Sequence, residues 1–153
     1  MTDEGGSAVN RKRPVILIAD DDEDILELVR LRLTRSGYET VLARNGAEAL
    51  EAAREHKPDL ALLDVSMPAM NGYEVTAALK SDPITKDIPV ILLTARAQTA
   101  DVARGFEAGV DDYVTKPFSP QALQIRVAAA LGDSVEQTSA QTMLGSIRPA
   151  SSQ

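Results

Sequence analysis

Several short apolar runs in this 153-residue chain stop at side chains with chemistry in them. Asp20, Asp21 and Asp22 follow VILIA (15–19), Asp64 follows DLALL (59–63), Thr94 closes VILLT (90–94), and Lys116 and Pro117 follow DYVT (112–115). Taken singly, each has an ordinary role. Acids favour helix N-termini, Asp and Thr cap loops and helices, and a lysine is commonly a solvated charge. Together, at equivalent positions of a repeated pattern, they assemble three or more carboxylates, a hydroxyl and an ammonium. Two like charges about 4 Å apart at an effective dielectric near 20 repel by roughly 4 kcal/mol, so such a cluster requires a protonated acid or a counter-cation. One lysine cannot neutralise three acids. Hard oxygen donors with no His or Cys among them favour Mg²⁺, or Mn²⁺, ions that keep several waters and accept a phosphate oxygen. A phosphoryl group completes the set: an aspartate attacks phosphorus, cation and lysine neutralise the transferring oxygens, and a hydroxyl holds another. Asp64, the lone acid at the end of a central run, is the expected nucleophile. The paired acids Asp20 and Asp21 are better disposed to share a metal.

The elements that must position these groups follow from hydrophobic period. Runs at 15–19, 59–63 and 90–94 are apolar at nearly every position, as in central parallel strands covered on both faces, whereas YETVLA (38–43) is mixed and belongs nearer an edge. DYVT (112–115) is the fifth strand candidate, and the second ends on nothing reactive. Helical spacing follows each strand: Ile25, Leu28, Val29 and Leu33 before Gly37; Ala49, Leu50 and Ala53 before Lys57–Pro58; Val75, Ala78 and Leu79 before Pro83; Val102 and Phe106 before Gly109; Leu123, Val127 and Leu131 before Gly132. Five β-then-α units with short connections predict right-handed crossovers and a doubly wound parallel α/β sheet. Ligands of such sheets bind beyond the carboxyl ends of the strands, where the reactive residues fall. Residues 1–13 and 133–153 read as flexible tails around a domain at 14–132.

Composition excludes other classes. A net charge of −7 repels a phosphate backbone, and two Phe, three Tyr and no Trp cannot build a base-stacking platform, so direct nucleic-acid binding is not expected. No Cys and a single His, His56 in a polar connection, rule out thiolate and His-rich metal sites. The basic cluster before Val15 resembles a secretory start, but the apolar core there is too short for a signal or for the roughly 20 residues of a span. The chain is read as cytoplasmic, without membrane contact.

With LIADDD, LLDVSMPAMNG, VILLTA and DDYVTKPFS in this order and spacing, the chain resembles bacterial response-regulator receiver domains, the CheY-like family, over about residues 14–131. The resemblance implies a flavodoxin-like (βα)5 fold with strand order 2-1-3-4-5. It implies that Asp64 accepts phosphate from a histidine kinase, a histidine phosphotransfer protein or a small donor such as acetyl phosphate. Asp21 would ligate Mg²⁺ directly and Asp20 largely through water, with the backbone carbonyl of Ser66 as a further ligand. Lys116, preceding a cis Pro117, would contact the phosphate. Thr94 would move toward the phosphoryl group and Tyr113 would follow it as the aromatic switch, reshaping the face around the fifth strand and the helix before it; a Tyr113 merely packed at a strand edge is the plain alternative.

FEAGVDDYVTKPFSPQALQIRV is particularly similar to receivers that precede winged-helix transcription factors. Asp112 and Arg126 keep candidates for one of the charged pairs through which those dimerise, but Ala122 stands where the pattern has an acid and Val102 where it has a base, so a monomer or a weak phosphorylation-dependent dimer is expected. The residues after Leu131 are too few for a winged helix. The expectation is therefore a stand-alone switch acting through contact with a downstream protein, the other possibility being the receiver piece of a longer transcriptional regulator. Arg96, near the site, could cover the phosphate or face solvent. A Mg²⁺-dependent aspartyl-phosphate hydrolase of the haloacid-dehalogenase type is the competing class; it requires Asp-x-Asp-x-Thr after the first strand, where this chain has DDDEDIL.

Overall fold

A computed structural model of the protein describes residues 13–95 and 108–132. The helix expected around Val102 and Phe106, Arg96 and both tails lie outside the described residues. Five strands, β1 (Val15–Ala19), β2 (Glu39–Ala43), β3 (Leu60–Asp64), β4 (Val90–Thr94) and β5 (Asp112–Thr115), form one sheet. Four helices are described: α1 (Glu23–Arg35), α2 (Gly46–His56), α3 (Gly72–Lys80) and α4 (Pro120–Ala130). The strands run parallel in the order β2-β1-β3-β4-β5, the expected doubly wound topology.

Alternation along the central strands divides the core in two. Leu17, Ala19, Ala61, Leu63, Val90 and Leu92 pack beneath α2 and α3. Ile16, Ile18, Leu60, Leu62, Ile91 and Leu93 pack beneath α1 and α4. Every residue of β3 and β4 is buried, while β2 at the edge is only partly so, and this is why its sequence is mixed.

One strand end and one helix face differ from expectation. Asp64 is the last residue of its strand rather than the first beyond it, because the ladder continues one step to the Val65 N–H, which donates to the Leu93 carbonyl at 3.1 Å, whereas Thr94 closes its strand as expected. The buried stripe of α1 is Leu26, Val29 and Leu33; Leu28 is 42% exposed. Ile25 packs partly buried against the same core as expected, so only Leu28 turns outward, and Leu26 takes its place against the sheet. Helix starts follow their caps. Asp22 Oδ1 accepts from the Asp24 N–H at 2.9 Å, Asn71 and Glu74 form a reciprocal capping box, and Ser119 precedes Pro120 at the first turn of α4.

Candidate functional site

Every group of the site stands at the carboxyl rim because the sheet registers fix adjacent strand ends side by side. Ala19 lies opposite Ala43 on one side and Leu63 on the other, and the Asp20 N–H extends the first pairing by donating to the Ala43 carbonyl at 3.1 Å. Ala19 and Leu63 face the α2/α3 core, so alternation turns Asp20 and Asp64 to the opposite face as immediate neighbours. Both are buried, at 0% and 5% exposure. Lys116 follows β5. Its N–H donates to the Thr94 carbonyl at 2.7 Å, its bond to Pro117 is cis, and its Nζ reaches Asp20 Oδ2 at 2.8 Å and Asp64 Oδ1 at 2.9 Å. Among the described residues, Asp64 Oδ2 receives no hydrogen bond.

Asp21 is exposed and contributes the third acid: one oxygen each from Asp20, Asp21 and Asp64 lies within 4.8 Å of the others. Asp22 does not join them, since its carboxylate is spent on the α1 N-terminus; its N–H donates to Asp20 Oδ1 at 3.0 Å. Burial holds the Asp20 carboxyl above the ordinary aspartate range, against the pull of the Lys116 and Asp22 hydrogen bonds, and the charge of Asp64 adds to the rise. For Lys116, burial disfavours the charge, but hydrogen bonds to Asp20 and Asp64 outweigh it and raise its pKa. One ammonium among three carboxylates leaves the site short of positive charge. Oxygen-only donors converging in this way fit a hard divalent cation.

Thr94 is buried at the end of β4. By alternation it belongs with Leu92 on the α2/α3 face, where Tyr113, the register partner of Leu92, is also packed. Thr94 and Tyr113 thus share the face opposite the carboxylates, on adjacent strands. Ser66 is exposed in the bend after β3. Arg126 and Asp112 pair with each other inside one chain, Nη1 to Oδ1 at 2.5 Å.

Three contributors were hidden in the sequence. A Cβ on Gly72 would lie 2.7 Å from the Asp64 carbonyl oxygen, and one on Gly46 2.5 Å from the Met70 carbonyl oxygen. These glycines let the loop after Asp64 press between α2 and α3. Nothing in the local sequence around Gly72 marks this close approach. The third is Arg44, which directly follows the second strand and whose guanidinium donates to Glu23 at 2.6 and 3.3 Å.

This constellation on a 2-1-3-4-5 sheet defines a class, and comparison with known proteins identifies it. Residues 16–128 match the response regulator receiver domain, and the chain belongs to that family. It is 39% identical to the DNA-binding response regulator MtrA of Mycolicibacterium smegmatis over 135 residues, 88% of this chain and 58% of that protein. The chain spans about half the length of the curated relatives it matches. Among solved structures, a putative response regulator from Chloroflexus aurantiacus is 39% identical with a TM-score of 0.75, covering 79% of this chain and 99% of that one. The receiver domain of the sensor histidine kinase PA1611 from Pseudomonas aeruginosa, solved with magnesium coordinated in its active-site cleft, is 28% identical with a TM-score of 0.73, over 79% of this chain and 99% of that one. The domain is a phosphorylation-driven signalling switch of the two-component type, which loads and releases a phosphoryl group on itself rather than turning over a free substrate; the hydrolase alternative is set aside. Among the described residues no helix is long and apolar enough to cross a membrane.

Proposed function

We propose that Asp64 is the phosphoacceptor, loaded by a histidine kinase, a histidine phosphotransfer protein or acetyl phosphate. The observation that carries this is the Lys116 ammonium bridging two buried carboxylates, Asp20 and Asp64, with Asp21 beside them. Lys116 holds Asp64 Oδ1, so Oδ2 is the oxygen presented to phosphorus. Its lone pair forms the new P–O bond while the bond from phosphorus to the leaving acetate oxygen, or to the donor's imidazole nitrogen, breaks and its electron pair departs with that group. Lys116 then has a phosphoryl oxygen to bind in place of the carboxylate. Asp20, Asp21, Asp64 and the Ser66 carbonyl would hold Mg²⁺, which supplies charge neutralisation on the phosphoryl oxygens.

The output follows from one new acceptor at the rim. A phosphoryl oxygen on Asp64 draws the Thr94 hydroxyl over the end of β4, and the space vacated admits the Tyr113 ring from its neighbouring position on the same face. The surface reshaped by that movement contacts a downstream protein. Arg126 and Asp112, satisfied within the chain, are consistent with a monomer or a weak phosphorylation-dependent dimer. Intact-mass spectrometry after incubation with acetyl phosphate and Mg²⁺ tests the assignment: one phosphoryl group is gained, acid-labile in character, and lost in Asp64→Asn. Undiminished labelling of Asp64→Asn refutes it.

A further inference from the structure

We propose that Arg44 is a second donor-binding cation of the site, parked on Glu23 until a phosphoryl donor arrives. The proposal rests on Asp64 being the acceptor. Arg44 directly follows β2, and the registers place Arg44, Asp20 and Asp64 at consecutive positions along the rim. Ala43 packs in the same core as Ala19 and Leu63, so alternation sends Arg44, Asp20 and Asp64 to one face. Two interstrand spacings separate Arg44 from Asp64, roughly 10 Å, a gap that an extended arginine and a phosphoryl group close between them.

The backbone of Arg44 is anchored, while its side chain is held by an exposed ion pair. Its N–H donates to Glu48 Oε1 at 2.8 Å and Asn45 caps α2, which anchors the main chain. The guanidinium is held by Glu23 alone among the described residues, and these side chains are 48% and 64% exposed. Exposed ion pairs are worth little, so an anion with a planar pair of oxygens displaces Glu23 at small cost, and arginine is the side chain suited to such an exchange. The need for it is electrostatic. A dianionic donor approaches a chain of net charge −7 at a rim carrying three clustered acids, and Lys116 is already engaged by two of them.

The test follows acetyl phosphate labelling at saturating Mg²⁺ in wild type, Arg44→Gln, Glu23→Gln and the double variant, with Mg²⁺ affinity measured separately by calorimetry. Arg44→Gln is expected to raise the half-saturating acetyl phosphate concentration about three- to fivefold, the factor of one partly exposed charge pair, while Mg²⁺ binding holds or tightens. Glu23→Gln releases Arg44 and lowers that concentration, and the double variant behaves as Arg44→Gln. Arg44→Lys keeps the charge without the fork and falls between. The difference between wild type and Arg44→Gln closes at about 1 M salt. Wild-type kinetics in Arg44→Gln, slower loading in Glu23→Gln, or a loss traced to weaker Mg²⁺ binding each overturns the role of Arg44 while leaving Asp64 as acceptor. Labelling that survives Asp64→Asn overturns both.

Discussion

Lys116→Met is the perturbation that reads the site's electrostatics most directly. The ammonium stands 2.8 and 2.9 Å from two carboxylates whose side chains are 0% and 7% exposed. Removing it leaves both acids buried without a counter-charge, a loss expected to cost about 3–5 kcal/mol. With a urea slope of about 2 kcal/mol per molar, the unfolding midpoint falls by roughly 2 M. The assay is urea denaturation at neutral pH in excess chelator, repeated with Mg²⁺. Because the pair is buried, added salt restores little of the loss, whereas Mg²⁺ recovers much of it by occupying the same acids. Lys86→Met is the control: its ion pair with Asp87 is exposed on both sides, and its midpoint stays where it was. A second arm uses pH. The Lys116 pKa is raised by folding, so its contribution is complete below the ordinary lysine value and lost as pH rises through the folded one; the two proteins converge there. A loss under about 1 kcal/mol in chelator, the range of surface pairs, would refute the buried-pair reasoning, as would a Mg²⁺-insensitive deficit.

Other expectations are simpler. Asp20 has a carboxyl raised by burial, so in chelator its stabilising contribution is complete below its unfolded value and lost as pH rises through the folded one; Asp20→Asn flattens that part of a pH–stability curve and removes the stabilisation by Mg²⁺. For the wild type, Mg²⁺ at ten times its dissociation constant adds about 1.4 kcal/mol, read as an upward shift in thermal midpoint that Asp21→Asn abolishes. Asp22→Ala removes the α1 cap and lowers stability by about 1 kcal/mol, yet leaves acetyl phosphate labelling intact, which separates the third acid of the triplet from the first two. Gly72→Ala forces a Cβ to 2.7 Å from the Asp64 carbonyl oxygen and costs about 1–3 kcal/mol, with slower labelling because the strand end carrying the acceptor must shift.

What the amino-acid order alone determined was the plan. Apolar runs bounded by polar residues record where strands lie and stop, and helical spacing between them dictates parallel crossovers, so the rim and its acids were legible without coordinates. Only the tertiary structure decided which of these groups act together. Lys116 is 96 residues from Asp20 and 52 from Asp64, and no local pattern measures that separation in space; it depends on strand order and register, set when both faces of the sheet are packed. The same packing assigned Asp22 to a helix cap and Asp21 to the acid cluster, turned Leu26 inward in place of Leu28, and paired Arg44 with Glu23. Local sequence encodes a residue's face and its position along an element, whereas neighbours across strands are chosen by the cooperative burial of the whole core.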